Sequence, residues 1–287
     1  IAASNDILQV FFNEKVFSKN DGTGALDSSD FTLSLAGGEA TLSKKYPTSI
    51  SGNGTKTLSM GVLLTGNPNG EEVLTINPKS KAVYDERGNE TKQSQSNNTI
   101  LLTDKLLPFY KNGELAPNNS TVSVTFNEKV FGKNNGTGKI DTGDFELTVT
   151  GGTATLSKAS PDSVGNVGNT YSLGLTLTGL PTGAEKLTVK PKSGAIFDGT
   201  GNAASTTQNF SSFTLNDKAP PIVKGISLAS DNSSVTLDFN ENVYSTGSAK
   251  GDLDKNDFVL TIDGETVVLS SPFPTSISKS GNSYTLG

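Results

Sequence analysis

Three copies of one stretch constrain what this chain can fold into. Residues 126–145 read FNEKVFGKNNGTGKIDTGDF, residues 12–31 read FNEKVFSKNDGTGALDSSDF, and residues 239–258 read FNENVYSTGSAKGDLDKNDF. Asn13, Asn127 and Asn240 hold the same place in each, so the period is 114 and then 113 residues. That is far too long for one coil of a β-solenoid and fits an array of whole modules. The 287 residues divide into 1–103, 104–216 and 217–287. Ile1 aligns with Leu115, so the first copy lacks a strand equivalent to 222–228, and Gly287 aligns with Gly174, so the third stops near its middle. Only 104–216 is a complete module. The chain is expected to be a window of a longer array, with neighbouring copies or flanking modules as its partners.

Within each copy, polar and apolar residues alternate over short runs separated by Gly, Pro and Asn turns. In the second copy the runs are 122–126, 145–150, 153–156, 171–178, 186–191 and 210–215. In the third they are 235–239, 258–262 and 266–269. No run has helical period. About seven short strands per ~110 residues predict an all-β fold of immunoglobulin-like β-sandwich modules. Val122, Val124, Phe126, Phe145, Leu147, Val149, Leu173, Leu175, Leu177, Leu187 and Val189 are the expected inward residues. The linkers Asp104-Lys105-Leu106-Leu107-Pro108 and Asp217-Lys218-Ala219-Pro220-Pro221 are short and proline-bearing, which should hold the modules end to end.

Composition removes several function classes. The chain has no cysteine and no histidine, which excludes disulfides, thiolate metal sites and His-dependent nucleophilic triads. The net charge is −6, with no basic run, which argues against nucleic acid as a partner. No apolar run is long enough for a spanning helix, so membrane insertion is not expected. Tryptophan is absent and Tyr numbers six, a poor supply of aromatic platforms for sugars.

The recurring FNEKV (126–130), DFEL (144–147), EKLTV (185–189) and DGTGN (198–202) resemble the bacterial Ig-like domains of large surface proteins, the Big and SwmB-like repeats. The first copy matches at 12–16, 30–33, 72–76 and 85–89. The resemblance covers the whole chain and implies extracellular or cell-surface stalks, adhesins and filaments, often stiffened by calcium.

In sandwich order, the long loop 127–144 and the loop 194–204 lie at the pole where the preceding linker enters. Asp104, Glu128, Asp198 and Asn202 should therefore converge. Calcium takes six to eight oxygens from carboxylates, amides and carbonyls on loops, and this set offers them. Asn127, Asp141 and Asp144 could add to it. Glu14, Asp85 and Asn89 are the counterparts in the first copy, and Asp217 and Glu241 in the third. A competing reading makes Asp27, Asp141 and Asp254 N-caps of single helical turns, and 198–202 a plain hairpin turn. Residues 252–256 imitate the start of an EF-hand, but Asp257 stands where that loop needs glycine.

The expected function is a structural repeat region of an extracellular filament, stalk or adhesin, not an enzyme, rigidified at module junctions by calcium. The alternatives are an adhesin region gripping a glycan or protein, and an accessory module of a secreted enzyme. Autocatalytic Lys–Asn crosslinks need a buried lysine, and none stands out.

Overall fold

The computed structural model describes residues 1–264 and 266–287. Their secondary structure is strands plus three single-turn 3-10 helices. They form two compact units. One comprises residues 1–179 and 184–216; the other comprises residues 180–183 and 217–287.

The first unit contains the first two sequence copies, and each has its own apolar core. In the second copy, Tyr110–Leu115, Thr121–Phe126, Thr170–Gly174 and Ser163–Val167 form one antiparallel sheet, with Thr121–Phe126 and Thr170–Gly174 in the middle. Phe145–Thr150, Lys186–Pro191 and Ser212–Thr214 form a second. Thr121–Phe126 buries every other residue, so Val122, Val124 and Phe126 pack inward while the intervening residues stay partly exposed. Leu147 stands opposite Val189 and Val149 opposite Leu187 across the second sheet. This is the alternation that a two-sided strand requires. Tyr110, Tyr171, Ile196 and Leu215 complete the core.

The first copy repeats the plan. Ile7–Phe11, Thr57–Gly61 and Ile50–Ser51 form one sheet, and Phe31–Ala36, Val73–Pro78 and Thr99–Leu101 another. Leu8, Phe31, Leu58, Met60, Leu74 and Val83 are buried together. Residues 57–65, the first-copy counterpart of the run 171–178, form two strands rather than one. Thr57–Gly61 pairs with Ile7–Phe11, whereas Leu64–Thr65 pairs with Thr41–Leu42. The chain changes sheets at Val62-Leu63, as corner strands in sandwiches do. Residues 171–178 divide the same way, into Thr170–Gly174 and Leu177–Thr178.

The long loop closes with a single helical turn in each copy. Asp141 accepts a hydrogen bond from the Gly143 N–H at 2.7 Å, and Asp144 accepts one from the Asp141 N–H at 2.7 Å, a reciprocal capping box. Asp27 with Asp30 and Asp254 with Asp257 do the same. These aspartates are committed to caps. The loop's other flank is nested on the DGTGN hairpin. Phe131 bridges Phe197, and at Gly201 (φ +93°) a Cβ would lie 2.5 Å from the Asn134 carbonyl oxygen.

In the second unit, Val223–Leu228, Val235–Phe239, Ser283–Leu286 and Ile277–Ser280 form one antiparallel sheet. The strands expected at 258–262 and 266–269 are not formed. In the second copy the equivalent of 258–262 is Phe145–Thr150, whose ladder partner is Lys186–Pro191. No described residue of the third copy takes that partner's place, and an extended segment without a ladder partner is not a strand.

Candidate metal centre where the first two copies meet

The linker after the first copy is tied down on both sides. The Lys105 and Leu106 N–H groups both donate to the Pro68 carbonyl, at 2.7 and 2.9 Å. The Asn202 amide nitrogen donates to the Asp104 carbonyl at 3.2 Å. Asp104 is thereby held against the second copy's loops. Glu128 follows the strand Thr121–Phe126 by two residues, and Asp198 opens the DGTGN hairpin.

These three side chains meet. One carboxylate oxygen from each of Asp104, Glu128 and Asp198 lies within 4.8 Å of the others, and among the described residues this is the one such acidic group. Asp198 is fully buried. Its Oδ1 accepts from the Thr200 and Asn202 N–H groups, both at 2.8 Å, and its Oδ2 accepts from the Asn202 amide at 2.6 Å. The hairpin therefore aims this carboxylate. Glu128 is partly buried and accepts from the Asn127 side-chain amide at 3.0 Å. Burial pushes its carboxyl up to about 7, with the charges of Asp104 and Asp198 adding to the effect. Burial also raises Asp104, reinforced by the charges of Asp198 and Glu72.

Three like charges at this spacing repel by roughly 3 kcal/mol per pair at an effective dielectric of 20, less where water reaches them. A hard divalent cation would reverse that term. All the donors are oxygen, which suits a hard cation such as calcium. The amides of Asn127 and Asn202 present nitrogen to the carboxylates, so both act as orienting groups in this arrangement.

The counterpart residues are arranged differently. In the first copy, Asp85 accepts from the Arg87 and Asn89 N–H groups at 2.8 Å and from the Asn89 amide at 2.7 Å. Glu14, Asp85 and Asn89 line one groove there. In the third, Asp217 accepts from the Ala219 N–H at 2.9 Å and Glu241 from the Asn240 amide at 3.3 Å.

Two glutamates that sequence reasoning passed over as strand starts are as deeply placed as Asp198. Glu72 and Glu185 are fully buried. Glu72 accepts from the N–H groups of Glu39, Ala40, Asn69 and Gly70 at 2.8–3.2 Å. Glu185 accepts from Thr153 and Ala154 at 2.7 and 3.0 Å. Each carboxylate ties the Gly-Gly turn to the strand start. The signal was the co-occurrence of Gly-Gly with a later Glu in both copies.

No family model and no curated protein matches the chain. Among solved structures it is similar to invasin, a bacterial integrin-binding protein, at 11% identity and a TM-score of 0.27. The match covers 84% of this chain and 48% of that one, so the chain spans about half its length.

Proposed function

We propose that the chain is a structural repeat region of an extracellular or cell-surface filament, stalk or adhesin. Its repeats are immunoglobulin-like sandwiches in series. Calcium held by Asp104, Glu128 and Asp198 stiffens the junction between the first two. The observation that carries this reading is the origin of the three carboxylates: one comes from the linker, and two come from separate loops of the following repeat. A cation shared by them ties linker to repeat, adding to the hydrogen bonds already present. The sequence period and the absence of His and Cys support a role built on repetition rather than catalysis.

Titration of calcium into EDTA-treated protein tests this. Binding at 100-fold excess over Kd stabilises by about 2.7 kcal/mol, or a rise in Tm of roughly 5–10 °C for a unit of this size. No heat of binding and no change in Tm would overturn the calcium reading.

A further inference from the structure

Among the described residues, every glycine inside a strand but one is explained by a neighbour. A Cβ added at Gly61, Gly113, Gly174 or Gly225 would come within 2.3–3.3 Å of another atom. At Gly165, in the middle of Ser163–Val167, it would meet nothing within 4 Å, and the backbone there has no positive φ. The ladder to Thr170–Gly174 runs through Gly165 without a register shift. A glycine inside a strand weakens it, and away from a bulge it marks a place where another backbone comes close. No described residue accounts for Gly165 in that way. Ser163–Val167 is the edge of its sheet, and it lies within the one complete copy.

The same edge is closed in the other two copies. In the first, the strand is only Ile50–Ser51. It stops at Gly52 (φ +93°), and Asn53 folds onto the long loop, accepting from the Leu26 N–H at 2.8 Å and donating to the Leu26 carbonyl at 3.2 Å. In the third, Lys279 stands where the second copy has Asn166, with its ammonium 5.5 Å from the centre of the Tyr284 ring. A shortened strand and an edge lysine are both ways to keep another strand off. Ser163–Val167 (SVGNV) has neither, carries no charge, and ends in Val167, which is 86% exposed. Serine stands at the place of Gly165 in both other copies, as Ser51 and Ser278.

We propose that Ser163–Val167 is a self-association site, where two molecules of this chain join antiparallel through the same strand. The two-residue turn at 168–169 makes Val167 and Thr170 a hydrogen-bonded pair. Ser163, Gly165 and Val167 therefore turn their backbone groups inward, and Val164 and Asn166 turn theirs to the free side. Val164 pairs with Asn166 of the other molecule, and Asn166 with its Val164, closing a ladder about a two-fold axis. Gly165 meets its own counterpart on that axis as a non-hydrogen-bonded pair, the kind in which Cα atoms approach to about 4.5 Å. Such a contact sets the same patch against itself, so the uncharged strand brings no like charges together. Val167 of each molecule lies beside Ser163 of the other and loses its exposure. The proposal is independent of the calcium reading.

The whole chain contains no cysteine, so one introduced thiol reports on one place. Gly165→Cys should form disulfide-linked dimers under mild oxidation, because a Cα separation of about 4.5 Å suits the bond. Ser51→Cys, at the same place in the first copy and also exposed, should dimerise severalfold more slowly. For the unmodified chain, sedimentation equilibrium should show monomer and dimer in exchange, with amide exchange at Val164 and Asn166 slowing as concentration rises. Asn166→Lys, which copies the third repeat's edge, should abolish association at unchanged Tm. Gly165→Thr should weaken association while raising Tm, since a strand glycine is a cost to the monomer. Equal rates for the two cysteine variants, or slowed exchange confined to another strand, would overturn the proposal. So would a chain that stays monomeric at millimolar concentration, which would leave the edge to a different partner.

Discussion

Gly152 sits where a Cβ atom would come within 2.0 Å of the Glu185 carboxylate. Gly38 stands in the same relation to Glu72, at 2.1 Å. Both glycines have positive φ, +54° and +59°. The second glycine of each Gly-Gly turn is thus required twice over, by backbone conformation and by the acid folded beneath it. Gly152→Ala and Glu185→Gln should each destabilise the first unit by about 2–3 kcal/mol, the range for disrupting hydrogen bonds to a buried charge. Urea denaturation measures the loss, and a change below about 0.5 kcal/mol would show that the turn rearranges freely.

Glu72 makes stability depend on pH. Burial by itself raises its carboxyl, but the N–H donors of Ala40, Asn69 and Glu39 outweigh burial, and the group ends below its ordinary 4.5. A carboxyl lowered on folding contributes stability that is complete above the unfolded value. That contribution is lost as pH falls through the folded one. Between pH 6 and pH 3 the wild type should lose more stability than Glu72→Gln, and the two denaturation curves should converge in acid. Parallel pH profiles would contradict this.

The junction carboxylates should respond with opposite signs in the presence and absence of calcium. In EDTA, Glu128→Gln removes repulsion from Asp104 and Asp198, so Tm should hold or rise by a few degrees. In calcium the same substitution should abolish most of the cation-induced rise. Thermal melts under both conditions test the crossing. A variant that loses stability equally in both would show that Glu128 acts only through packing.

Tyr110 is fully buried, packs edge-on to Phe126 with ring centroids 5.0 Å apart, and its hydroxyl has no hydrogen-bond partner among the described residues. Burial holds its phenol far above the ordinary value. A buried hydroxyl without a partner costs about 1–3 kcal/mol. Tyr110→Phe should therefore be neutral or stabilising by up to about 1 kcal/mol in urea melts. A loss of 1 kcal/mol would overturn the account of the hydroxyl as a cost.

Much of this was legible before the fold. The repeat period and the two-residue alternation marked Val122, Val124, Phe126, Leu147, Leu187 and Val189 as inward, and these are buried. Asp104, Glu128 and Asp198 were expected to converge on the assumption of an immunoglobulin-like strand order, and one carboxylate oxygen of each lies within 4.8 Å of the others. The burial of Glu72 and Glu185 was missed, although each follows a Gly-Gly pair in its copy. A glutamate before a strand looks like a solvated edge, and only the turn folded over it supplies the donors. The third copy shows the opposite error. Residues 258–262 have strand pattern, but pattern supplies only one side of a ladder.

The linker has one more consequence, a mechanical one. Residues 104–108 can reach at most ~18 Å when fully drawn out. Before that, a pull along the backbone must first strip two N–H groups from the single Pro68 carbonyl and one amide from Asp104. Tension therefore meets a hydrogen-bonded catch before it meets a core. Pulled in a force spectrometer, the chain is expected to give a short release of linker first and unravelling of sheets only under higher load.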